Sequence, residues 1–141
     1  MIKVTRKHLE QPRVYELLTI LDPSFTKRLE RLVNIEDYSR KLSNHASFEI
    51  AENEDGLIGA IAFYENEQSL FIPFVCVSIH SRRMGVADSL LKSICQYADT
   101  IGKPIALEVR SSNDGAINLY TKHLFSVVSE TNNKLLMIRK I

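Results

Sequence analysis

Two short stretches of this chain carry the residue types best suited to chemistry. The first reads His80-Ser81-Arg82-Arg83-Met84-Gly85-Val86-Ala87 and lies between an apolar run and a helical pattern. A helix starting there offers several unpaired N–H groups and the positive end of its dipole. Gly85 and Ala87 leave that backbone uncovered, and Arg82 and Arg83 add full positive charge. The combination suits a pyrophosphate. It has no Gly-Lys-Ser/Thr of a Walker loop and only one of the three glycines of a dinucleotide fingerprint. On its own, the turn reads at least as well as a solvated basic loop. The second stretch runs from Asn113, a residue type suited to capping a helix, to Tyr120.

The elements that must position these stretches follow from periodicity. Ile2 to Thr5 suits a short strand. Val14, Leu17, Leu18 and Leu21 follow helical spacing, and Asp22-Pro23-Ser24 breaks that helix. A second helix is expected between Thr26 and Leu42, with Leu29, Leu32, Val33, Tyr38 and Leu42 inward and Asn34 capping its second half. From Ser47 the texture becomes strand-like. Two runs flank Glu54-Asp55-Gly56, which supplies hairpin chemistry, and Leu70 to Val77 forms a third, predicting an antiparallel meander. Pro73 cannot donate to a ladder and marks a bulge or an unpaired edge. Val86, Leu90, Ile94, Tyr97 and Ile101 then form a helical stripe, stopped by Gly102 and Pro104. Ile105 to Val109 is a strand, Asn113 to Lys122 a short helix, and Phe125 to Val128 and Leu135 to Ile138 are closing strands. The fold class is α/β in the broad α+β sense, one domain over 1–141.

The order Arg-x-x-Gly-x-Ala after a strand, then helix, strand and Asn113-x-x-Ala116-Ile117-x-Leu119-Tyr120, resembles the GNAT superfamily of acyl-CoA-dependent N-acyltransferases. The likeness is direct in VCVSIHSRRMGVADSLL and LEVRSSNDGAINLYTKHLF. It covers roughly Leu70 to Phe125, and the flanking elements fit by order. It implies a mostly antiparallel sheet flanked by about four helices, with a splayed pair of parallel strands holding the cofactor. Three positions depart from the family pattern. Ile79 stands where proline is common, Leu124 where glycine is common, and Ala87 replaces the last glycine of the phosphate turn.

The resemblance also implies roles. Backbone amides between Arg82 and Ala87, including those of Met84, Gly85 and Val86, would hold the pyrophosphate of coenzyme A, with Arg83 nearby. Main-chain groups of Cys76 and Val77 would face the pantetheine arm. Asn113 would contact the cofactor, and Tyr120 would protonate or stabilise the leaving thiolate. A free tyrosine titrates near 10 and a thiol near 8.5, so full proton transfer is uphill by roughly 2 kcal/mol, whereas a hydrogen bond to the developing charge is not. An amine must be neutral to attack a thioester, so a base or water chain is expected. Candidates are Glu65, Glu67, His80 and Glu108, and an ionisable residue inside a central strand, which needs a partner or a function, favours Glu108. His45 and His123 read as exposed helix ends.

Composition narrows the rest. Of 141 residues, 45% are hydrophobic and 25% charged, as in globular domains. The formal net charge of +1 gives no basic excess for a general nucleic-acid binder. Two cysteines, Cys76 and Cys95, are too few for a disulfide framework. No apolar run approaches the ~18 residues of a membrane span, and MIKVTRKHLE lacks a signal-peptide core, so a cytoplasmic protein is expected. The leading expectation is an N-acetyltransferase using acetyl-CoA, without a metal, on a primary amine of a small molecule or a protein. Attack would be direct, because no cysteine is placed with a histidine partner. The N-terminal helices would wall the acceptor pocket, and a homodimer is compatible. Other readings are a non-catalytic CoA-binding module and a plain interaction domain.

Overall fold

The computed structural model describes residues 1–20 and 22–141. Strands β1 (Lys3–Lys7), β2 (Ser47–Asn53), β3 (Gly56–Glu65), β4 (Leu70–Val77), β5 (Ile105–Arg110), β6 (Ser126–Thr131) and β7 (Lys134–Arg139) form one sheet in the order β1-β2-β3-β4-β5-β7-β6. The expected meander is there, with β1 added to its outer edge. All pairs are antiparallel except β4–β5, which pairs parallel only from Leu70↔Ile105 to Ile72↔Leu107. Beyond that point the two strands continue unpaired and a gap opens between them. Pro73, which has no N–H to give, is the next residue of β4. It also lies at the irregularity where β3 and β4 change register, between Ala62↔Phe74 and Tyr64↔Phe71.

Five α-helices are described: α1 (Gln11–Ile20), α2 (Pro23–Glu30), α3 (Ile35–His45), α4 (Val86–Ile101) and α5 (Asp114–Lys122). Leu21, expected at the inward end of the first helix, lies outside the described residues. The single helix expected between Thr26 and Leu42 is in fact two. α2 starts early because Asp22 caps it, accepting hydrogen bonds from the Ser24 and Phe25 amides, with Pro23 in the first turn where its missing N–H costs nothing. Asn34 then caps α3 through the Asp37 amide at 3.0 Å. Leu32 and Val33, expected inward, fall in the turn between the two helices and are 74% and 37% exposed. A broken helix no longer carries one face across the break.

Apolar residues on the two faces of the sheet build two cores. α4 packs Val86, Leu90, Leu91 and Ile94 on one face, over Ile61, Phe63, Ile72 and Leu107. α1 and α3 pack Val14, Leu17, Leu18 and Leu42 on the other, over Phe48, Ile50, Ala60 and Phe74. The start of α4 lies close against β3 at Gly59. A β-carbon there would come within 2.8 Å of Val86 Cγ1 and 3.1 Å of the Cys76 carbonyl oxygen, so the bare backbone of β3 lets the first turn of α4 settle against the sheet. Gly102, at φ 69°, closes the helix as expected.

Candidate functional site

The turn after β4 is a 3-10 turn at Ile79–Ser81 followed by Arg82 and Arg83. Arg83 and Gly85 both take left-handed backbone, at φ 67° and 77°. Gly85 is the N-cap of α4, and no side chain caps the helix. The first intrahelical bond is from the Ser89 amide to the Gly85 carbonyl, at 3.0 Å. The Val86, Ala87 and Asp88 amides therefore precede any helical acceptor and face outward with the positive end of the dipole. A β-carbon on Gly85 would meet nothing within 4 Å. Its glycine thus answers the backbone angle and leaves room beside the amides.

These amides open into a groove of about 620 Å³. Val77, Arg82, Arg83, Gly85, Val86 and Ala87 line one side, and Asn113, Ala116 and Leu119 of α5 line the other. The groove therefore gathers most of the residues expected to hold the cofactor. Met84 is 53% exposed and is not part of this wall. Cys76 alternates away from Val77, and its side chain is buried in the core under α1 and α3, so only its main chain can face the strand gap. Burial, with Asp22 nearby, pushes the Cys76 thiol up to about 12. It holds no reactive thiolate.

Asn113 caps α5, its side chain accepting from the Ala116 amide at 3.2 Å. Tyr120 sits one turn beyond Ala116, half-buried, with its ring 5.8 Å from that of Phe125. Burial pushes its hydroxyl up to about 12. α5 contributes no fully buried residue, and its far end is tied to α4 by charge. Asp88 lies 2.8 Å from His123 Nε2 and 3.0 Å from Lys122 Nζ, and these contacts hold the Asp88 carboxyl below its usual range. His123 is thus not the exposed helix end expected: its side chain is 15% exposed because it folds back onto the first turn of α4. His45, by contrast, is exposed.

Glu108 lies elsewhere. Its neighbours Leu107 and Val109 are buried under α4, so alternation turns Glu108 to the opposite face. There it is exposed and lines a second groove of about 320 Å³ with Pro73, Arg110 and Lys134. The central strand thus leaves Glu108 open to the groove, with no salt bridge to Arg110 among the described residues. The two grooves lie on opposite faces of the unpaired ends of β4 and β5.

The sequence reading missed the contact that joins the phosphate turn to the N-terminal helices. Arg82 donates to Asp22, a buried carboxylate that also caps α2. The pair spans 60 residues of chain, and only the opposite charges hinted at it. Gly59 was missed too, although a lone glycine inside a strand signals close approach. Among the described residues no cluster of side chains suits a metal ion, and no helix is long and apolar enough to cross a membrane.

Comparison with known proteins agrees with this geometry. The acetyltransferase (GNAT) family model matches residues 14–125. A protein of Pyrococcus horikoshii OT3 superposes with a TM-score of 0.82 at 23% identity, covering 100% of this chain and 99% of that one. PaiA N-acetyltransferase from Thermoplasma acidophilum, in complex with coenzyme A, gives 0.76 at 16% identity over 99% of both chains. A GNAT family acetyltransferase from Elizabethkingia anophelis, with acetyl-CoA bound, gives 0.73 at 18% identity over 99% and 98%. At these identities the solved structures speak for the fold.

Proposed function

The chain belongs to the acetyltransferase (GNAT) family, and from that premise we propose that it transfers an acetyl group from acetyl-CoA to a primary amine. The observation that carries this reading is the uncapped start of α4, opening into a groove beside the gap between β4 and β5. The residues fit a CoA-type cosubstrate. The Val86, Ala87 and Asp88 amides and Arg83 would take the pyrophosphate, and Asn113 would border it. Main-chain groups of Cys76 and Val77, left without a β5 partner, would hydrogen-bond the pantetheine arm.

The Tyr120 hydroxyl would donate a hydrogen bond to the leaving sulfur. With its pKa near 12, full transfer to a thiol of pKa ~8.5 would be uphill by about 5 kcal/mol. Tyr120 therefore stabilises developing negative charge and stays protonated throughout the working pH range. Glu108, across the gap, would accept the proton from the attacking amine, directly or through water. The protonated Cys76 supports direct attack in a ternary complex over an acetyl-cysteine route. Small amines and protein amines both remain acceptor classes for this reading. The test follows thiol release under saturating acetyl-CoA over a panel of amines. Amine-dependent release is expected. Tight acetyl-CoA binding with no release for any amine would favour a non-catalytic CoA-binding module.

A further inference from the structure

The face of the sheet that carries Glu108 holds a second feature, which the transfer reaction alone does not use. β5 and β7 pair antiparallel with Arg110 directly opposite Lys134. Leu107↔Met137 and Val109↔Leu135 point into the α4 core, so Arg110, Lys134 and Glu108 share the other face. Like charges directly opposite on neighbouring strands are destabilising. Neither cation belongs to an ion pair among the described residues. Both line the 320 Å³ groove that contains Glu108 and also the adjoining groove of about 480 Å³. That second groove is otherwise polar, walled by Ser111, Ser112, Asn132 and Asn133.

We infer that Arg110 and Lys134 form an anion subsite for the acceptor, so that the preferred substrate is an amine bearing a negatively charged group close to its nitrogen. The inference rests on the proposed acetyl transfer and on Glu108 as the base. Same-face positions two apart on a strand stand about 7 Å from each other. An amine at Glu108 thus places an anion a few bonds away between the two cations. A bound anion satisfies both cations at once, and Arg110 can take a carboxylate in a bidentate fork. An amino acid and an acidic residue near a peptide N-terminus present the same chemistry from two sources.

The experiment compares matched acceptors in thiol-release assays. One arm uses an ω-amino acid and its amide. The other uses peptides starting Ala-Asp and Ala-Asn. The acid of at least one pair should exceed its amide by about tenfold or more in kcat/KM, mainly through KM, as for a charge-assisted contact; the arm that shows the preference identifies the source. In the Arg110→Gln, Lys134→Gln double variant the ratio should fall to near one. Arg110→Glu should shift preference toward a diamine, and melting curves check that the variants fold. Acid and amide used equally by the wild type, or a preference that survives the double variant, overturns this inference and leaves the transferase reading standing. Acetylation of no acceptor overturns both.

Discussion

Two helices begin on the same groove, and they begin differently. α5 is closed by its own sequence: Asn113 folds back onto the Ala116 amide. α2 and α3 are closed in the same way by Asp22 and Asn34. α4, the longest of the described helices, starts at Gly85 with no side chain over its amides. A glycine N-cap leaves those donors without a side-chain partner, at a cost of only roughly a few tenths of a kcal/mol relative to Asn or Asp. Here the site is also flanked by Arg83 and lies over a cavity. The contrast separates a helix start closed by its own side chain from an open one, which we propose is left for an anion. It predicts that changes at α4 will be felt in binding, and changes at α5 first in stability.

The largest effect should come from closing α4. Gly85→Asp places a carboxylate where the pyrophosphate is proposed to sit, and acetyl-CoA affinity should fall by about 100-fold or more, near 3 kcal/mol. Calorimetric titration measures it. Gly85→Ala separates charge from backbone strain: it should cost about 1–2 kcal/mol of stability for the left-handed angle and lose less affinity than the aspartate. Equal losses in the two variants would mean that the conformation, and not the anion site, is what Gly85 provides.

Next in size is Tyr120→Phe. It removes the hydroxyl and keeps the ring against Phe125. Turnover should drop by about 10²-fold, the low end for such groups, with acetyl-CoA affinity nearly intact. The raised hydroxyl pKa keeps the protonated form present up to about pH 12, so deprotonation of Tyr120 should produce no fall in wild-type kcat between pH 7 and 10. A pH–rate profile of both proteins checks this. Loss of an alkaline limb in the variant would contradict it.

Asn113→Ala should cost about 1 kcal/mol of stability as a lost cap and weaken acetyl-CoA binding by only a few fold. Thermal denaturation with and without ligand reads both. An affinity loss as large as that of Gly85→Asp would erase the distinction between the two helix starts.

The smallest effect lies just past the other end of α5. Leu124 is held at φ 73° and is 73% exposed, so its side chain gains little and its backbone is strained. Leu124→Gly should raise stability by about 0.5–1 kcal/mol, seen as a melting point higher by a few degrees. A lowered melting point would mean that the Leu124 side chain makes contacts worth more than the strain.

What was legible in the sequence depended on how local its cause is. The stripe from Val86 to Ile101 and its stop at Gly102 follow from the residues themselves, because a helix repeats its face every 3.6 positions. Asn34 and Asn113 were legible for the same reason: a cap acts within three residues. Leu124 was visible as a departure from a glycine pattern, and its positive φ supplies the cause. The division between α2 and α3 was missed because the apolar residues from Leu29 to Val33 mimic a continuing stripe, while the decisive cap, Asp22, stands further back. The Asp22–Arg82 and Asp88–His123 contacts depend on tertiary placement and have no local signature. The opposition of Arg110 and Lys134 depends on strand register, and a slip of one residue would dissolve it.

The central claim is that the open amides of α4 hold the cosubstrate, and they can be observed individually. In a titration of ¹⁵N-labelled protein with coenzyme A, the amide signals of Val86, Ala87 and Asp88 should shift most, with smaller shifts at Asn113 and little change at Asp37 at the capped start of α3. Saturable binding that leaves the Val86–Asp88 amides unmoved, with the main shifts elsewhere in the chain, would contradict the account.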